Sequence, residues 1–234
     1  MMEIKLKIKP QNPIIIEGFP GIGLIGTITT EYLIKHLDAK PIGHIWSKDL
    51  SPVAAVHDSK VIQPLEVFYS KKKNVIILHA MTDVKGLEWE IADALRDLYK
   101  MLKAKEIISI EGIVGESEKN NAYFYTNIPG SSKKLSTKAK QMKEGIIMGV
   151  TGALMLSDKT MKTTGVFVET HSKLPDSRGS SVIIGVLSHY LDLKIDAKPL
   201  LKAASEFESK LKGYVDKMQT AQKTQGKKSV DYMG

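Results

Sequence analysis

Runs in which apolar residues are continuous, or alternate with polar ones, predict strands at residues 4–8, 14–17, 42–46, 53–57, 61–69, 75–80, 106–114 and 166–170. Apolar residues recur at helical spacing after the second run, through Ile22, Leu24, Ile25, Ile28, Tyr32, Leu33 and Leu37, and again in 86–103, where Leu87, Ile91, Leu95, Leu98 and Leu102 form one face. The same period returns in 151–161, 180–191 and 197–222. Helices that separate apolar strands predict an α/β fold with a mostly parallel central sheet flanked by helices, and His57-Asp58-Ser59-Lys60 signals a hairpin insertion near residues 53–80.

The C-terminal end differs from this body. Leu200, Leu201, Ala204, Phe207, Leu211 and Tyr214 keep a helical stripe, whereas TAQKTQGKKS, residues 220–229, has no apolar face. The expected organisation is an α/β domain over 1–196, a C-terminal helix over 197–219 and a flexible lysine-rich tail over 220–234.

Composition narrows the function classes. Over 234 residues, 42% hydrophobic content is ample for a core. The absence of cysteine removes thiolate catalysis, disulfides and Cys-based zinc sites. MMEIKLKIKP alternates like a strand rather than a signal peptide, and no run approaches the ~18 apolar residues of a membrane span, so a soluble internal protein is expected. The net charge of +8 is concentrated at the C-terminus, where the segment from Lys210 onward has six lysines against two aspartates. With Arg96 and Arg178 as its only arginines, the chain lacks an Arg-rich patch interleaved with aromatics, and nucleic-acid binding is not expected.

Three places could carry chemistry. GFPGIGLIG, residues 18–26, contains the G-x-G-x-x-G spacing of a dinucleotide turn between a strand and a helix. However, Gly18-Phe19-Pro20 lengthens and stiffens the connection, and Asp49 is a poorly placed ribose partner, so Gly18, Pro20, Gly21, Gly23 and Gly26 are read as a structural packing turn with no cofactor. His171 and His189 flank Asp176, Ser177, Ser180 and Ser181, but no nucleophile elbow is present, and Asp176 or Ser177 is expected to cap a helix. His36, His44, His57 and His79 show no ligand spacing, so no metal is expected. Glu111 and Glu116 end a buried strand and could line a crevice or simply mark its exit to a loop.

EGFPGIGLIG, GVTGAL at 149–154 and LPDSRGSSVIIGVLSHYLDLKID at 174–196 together resemble the archaeal and eukaryotic proteasome assembly chaperone family, over about residues 10–215. The resemblance implies an α/β fold similar to nucleoside phosphorylases without their catalytic residues. It also implies a homo-oligomer and an ATP-independent, non-enzymatic role in the archaeal cytoplasm, with proteasome α subunits or the core particle as partner. A hydrophobic face at Ile183, Ile184, Val186 and Leu187 is expected to remain partly available for oligomer contacts. Some family members end in hydrophobic-Tyr-X, a tail that docks between α subunits. Here Asp231 precedes Tyr232, and Met233 and Gly234 follow, so tail docking through Tyr232, Met233 and Gly234 and an unanchored end both stay open. The alternative from another class is a nucleoside-type hydrolase or phosphorylase that uses the glycine turn.

Overall fold

The strands that are apolar in nearly every position are the ones buried on both faces. β2 (Ile14–Gly18), β7 (Val75–Ala80), β8 (Glu106–Val114) and β11 (Thr163–Thr170) lie side by side in the order β7-β2-β8-β11, all parallel. Strands with alternating polarity take the flanks. β1 (Glu3–Leu6), β3 (Lys40–Trp46) and β6 (Leu65–Ser70) extend the sheet antiparallel beyond β7, and β9 (Ala122–Thr126) and β10 (Lys140–Gln141) extend it beyond β11. The nine-stranded sheet is therefore mixed: the expected parallel order holds at its centre and gives way to antiparallel pairing at both sides. The computed structural model describes residues 2–202 except 58, 116–118 and 171–173, together with 212, 213 and 217.

The segment 53–80 is not a single insertion. β4 (Ala55–His57) and β5 (Lys60–Ile62) pair in a separate two-stranded sheet, whereas β6 and β7 belong to the central one. The expected strand over 61–69 breaks at Gln63-Pro64 because proline has no N–H to give to a ladder.

Helices cover both faces. α2 (Glu88–Leu102) buries Ile91, Leu95, Leu98 and Leu102, and packs with α4 (Gly149–Ser157) over Ile15, Leu78 and Ile107. α1 (Ile25–His36) and α5 (Ser177–Tyr190) cover the opposite face over Ile16, Ile77, Ile108 and Val166. The short α3 (Ser131–Leu135) packs beside α5, and α6 (Lys198–Lys202) seats Leu200 against Leu24, Ile28 and Ile184. Residues of α5 expected to be available are thereby enclosed: Ile183, Ile184 and Leu187 have no exposed surface, since the helix is sandwiched by the sheet, α1 and α6. α4 stops at Ser157, four residues short of expectation, where Asp158 accepts hydrogen bonds from the Thr160 amide (2.9 Å) and hydroxyl (2.6 Å).

Candidate functional site

The carboxyl ends of β2, β8 and β11 meet the glycine-rich connection and the start of α4. After Gly18 the chain passes through Phe19-Pro20-Gly21 into a 3-10 turn, Ile22–Leu24, before α1 begins. Gly18 and Gly26 bring strand and helix backbones together: a Cβ on Gly18 would lie 2.5 Å from the Gly26 carbonyl oxygen. Gly23 has φ +67°, and its missing Cβ would fall 2.8 Å from Thr170 Oγ1. The Ile22 carbonyl rests over Gly112 of β8, where a Cβ would come within 2.2 Å of it. Gly21 differs: its backbone is extended, and a Cβ there would meet nothing nearer than 4.0 Å.

On the α2/α4 face of this end, register places Glu17 opposite Ser109, and Glu111 follows two residues along β8. Glu17 is 1% exposed, and Ser109 is fully buried. The Ser109 hydroxyl contacts Glu17 Oε1 and lies 2.7 Å from Thr151 Oγ1. Burial pushes Glu17 up to about 8, opposed by the Ser109 hydrogen bond and reinforced by the charge of Glu111. Burial likewise raises Glu111 to about 7, opposed by Thr151. A small crevice adjoins them, with Asp83, Lys85 and Glu88 on its far side.

Glu111 also lines a larger groove of about 980 Å³, walled by Tyr123, Phe167, Glu169 and the 140–148 strap that leads into α4. Glu169 is held by Asn121 Nδ2 (2.6 Å) and the Tyr123 hydroxyl (3.1 Å). The rim is apolar and open to solvent: Val114, Ile146 and Met148 are 77%, 89% and 73% exposed.

The His/Asp/Ser group does not converge. Asp176 caps α5, accepting from the Gly179 amide at 2.8 Å and from Asn120 Nδ2 at 2.8 Å. His189 lies near the other end of that helix, with Nε2 2.8 Å from Thr137 Oγ1. Ser180 and Ser181 donate to the carbonyls of Asp176 and Arg178, and His171 lies outside the described residues, as do Glu116, Tyr232, Met233 and Gly234. Among the described residues no group of three or more His, Cys, Asp or Glu could hold a metal ion, and no helix is long and apolar enough to cross a membrane.

Sequence reasoning singled out Glu111 but gave no role to Glu17, Ser109 or Thr151. Glu17 did leave a signal, a carboxylate at the end of an otherwise apolar strand. His79, weighed only as a metal ligand from its spacing, is enclosed on β7, where its Nδ1 lies 2.8 Å from Thr30 Oγ1 and burial lowers its pKa.

A family model described as the PAC2 family matches residues 15–215. The crystal structure of PbaA from Pyrococcus furiosus, described as an archaeal homolog of proteasome-assembly chaperone, matches with a TM-score of 0.84. It is 28% identical, with 95% of this chain and all 100% of that chain covered. PbaB from the same organism, described as an archaeal proteasome activator, shares the fold with a TM-score of 0.75 at 23% identity, covering 91% of this chain and 98% of that one. A protein of Methanocaldococcus jannaschii is 28% identical over 214 residues, covering 89% of this chain and 87% of the relative.

Proposed function

The chain belongs to the PAC2 family, and from that premise we propose that it is a non-enzymatic, ATP-independent chaperone or scaffold of proteasome core-particle assembly. It binds proteasome α subunits and works as a cytoplasmic homo-oligomer. The observation that carries this reading is the likeness to PbaA, which extends over nearly the whole of both chains. The groove supplies a surface suited to the task, because Val114, Ile146 and Met148 expose apolar side chains together at one end of a rigid sheet.

In this account residues 1–196 form the body, 197–219 a helix, and 220–234 a tail that adds a second contact through Tyr232, Met233 and Gly234. Several tails on one oligomer raise effective concentration, which amplifies avidity about 10²-fold where they engage together. A pull-down with proteasome α subunits, run beside a protein ending at Gly213, tests this. Retention of α subunits by the intact chain supports it, and no retention by either protein overturns it.

The glycine turn serves packing in this account. Gly23→Ala, at a positive φ and against Thr170, lowers the melting temperature, and calorimetry with NAD, ATP and nucleosides gives no saturable heat. The groove beside Glu111 favours a second reading, a nucleoside-type hydrolase or phosphorylase, and saturable micromolar heat with a nucleoside would select it instead.

A further inference from the structure

Four loops enter the parallel centre of the sheet at its amino end: residues 71–74 lead into β7, 9–13 into β2, 103–105 into β8 and 158–162 into β11. They are neighbours in that order because their strands are. Hydrogen bonds join each loop to the next. The Ile14 amide donates to the Asn74 carbonyl at 3.1 Å, and Asn74 Nδ2 donates to the carbonyls of Gln11 and Asn12 at 3.1 Å each. The Lys105 amide reaches the Pro13 carbonyl at 2.8 Å, and the Ile107 amide reaches that of Lys162 at 2.9 Å. Together the four loops carry eight lysines against one aspartate, although no single loop has more than three. All of these lysines except Lys73 are exposed, and among the described residues none of the eight forms an ion pair. The acids at this end are already matched: Asp158 by Lys100 at 3.6 Å, and Asp192, whose carbonyl accepts from Lys73, by Lys134 at 2.6 Å.

We propose that this amino end is a binding face for the phosphodiester backbone of a duplex nucleic acid, held without regard to base sequence. Neighbouring strands lie about 4.8 Å apart, so the array of loops runs about 15 Å across. A DNA duplex carries one negative charge per ~1.7 Å of its axis and presents about eight or nine over that length. An acidic protein surface would need as many carboxylates in the same span. The lysine ammonium suits a phosphate as a point charge on a flexible stem. No arginine or aromatic residue lies on the four loops, so nothing there forks onto a base edge or stacks on a base.

The expectation against nucleic-acid binding rested on the missing arginines and aromatics, which removes base readout but leaves backbone contact. The lysines looked dispersed because they fall in four distant stretches of sequence, and the parallel pairing of β7, β2, β8 and β11 brings them to one face. The groove with Glu111 and Glu169 lies toward the opposite, carboxyl ends of the same strands. A protein seated on the groove therefore leaves the lysine face uncovered, and neither contact requires the other.

Fluorescence anisotropy of the full-length chain tests this without any α subunit, using two unrelated DNA duplexes of about 20 bp and an RNA duplex of the same length over a salt series. Saturable binding of the DNA or the RNA is expected, weakening steeply as salt rises. Lys9→Gln/Lys72→Gln/Lys105→Gln removes three charges from three loops. It should bind at least tenfold more weakly at low salt and lose about 2 to 3 from the slope of log affinity against log salt. Lys71→Gln/Lys103→Gln/Lys159→Gln serves if the first variant does not fold. The matched tail variant Lys223→Gln/Lys227→Gln/Lys228→Gln removes the same net charge and should lose less of both. No binding of any duplex by the wild type would overturn the proposal, as would an equal or greater loss in the tail variant. Strong preference for one DNA sequence over the other would contradict it, since the loops hold nothing that reads bases. An oligoglutamate peptide of about 20 residues bound more tightly than every duplex would also overturn it and assign the face to an acidic protein.

Discussion

Strand β8 carries a buried glutamate at its amino end and a half-buried one near its carboxyl end, and the two are accommodated differently. Glu106, 6% exposed, receives the Tyr190 hydroxyl at 3.0 Å to each oxygen and the Thr164 hydroxyl as well, with the charge of Lys162 nearby. Ser131 supports Tyr190 at 3.0 Å, and Thr126 lies 2.8 Å from Thr164, so hydroxyls surround this carboxyl group. Burial still raises Glu106, but these donors and Lys162 oppose the shift. At the other end, the Ser109 hydroxyl contacts Glu17 and lies 2.7 Å from Thr151, no cation is among the causes that oppose burial, and Glu17 is raised to about 8 and Glu111 to about 7. Burial alone therefore does not decide what a carboxylate does. The donors and charges around it also count, and they oppose burial more fully at the amino end of β8 than near its carboxyl end.

The largest expected effect comes from breaking the amino-end cluster. Glu106→Ala leaves the Tyr190 and Thr164 hydroxyls without their acceptor and lowers stability by about 3 kcal/mol in chemical denaturation.

Glu17→Gln acts oppositely. A carboxyl whose folded pKa is raised is fully compatible with the fold below the unfolded value of 4.5, and stability is lost as pH climbs from there toward about 8. That loss reaches at most about 1.4 kcal/mol per pH unit for one proton. The variant removes it, and at pH 8 it is more stable than the wild type, with the difference shrinking toward pH 5. Denaturation curves at both pH values check the sign.

Tyr190→Phe sharpens the contrast at smaller scale. It removes one donor to Glu106 and costs about 1.5 kcal/mol by thermal unfolding. The smallest effect belongs to Ser109→Ala. Because the Ser109 hydrogen bond opposes the rise at Glu17, its removal moves the Glu17 carboxyl midpoint upward in an NMR titration, by on the order of one pH unit.

The central strands were legible because they are buried on both faces, so their apolar runs carry no competing polar signal. β9 left no such mark: Ala122–Thr126 owes its strand form to pairing with β11, a contact more than 35 residues away. The exposure expected of Ile183 and Ile184 failed for a related reason, since helical spacing identifies an apolar face but not how many neighbours enclose the helix. At the site, Glu111 stood out as an acid closing an apolar run. Ser109 and Thr151 did not, because their roles depend on the β2–β8 register and on α4 descending onto it. The glycine turn presented the spacing of a nucleotide motif, whereas three of its glycines meet backbone contact or positive φ that the spacing alone cannot distinguish from a ligand site.

The proposed function requires that the apolar rim of the groove receive a proteasome α subunit. Binding of purified α subunits to the full-length chain, measured by calorimetry beside an Ile146→Asp/Met148→Asp variant, tests it most directly. The two side chains are almost fully exposed, so the variant should melt with the wild type. Saturable binding by the wild type, weakened at least tenfold in the variant, is the predicted result. Absence of binding by the wild type, or equal binding by the variant, would contradict it.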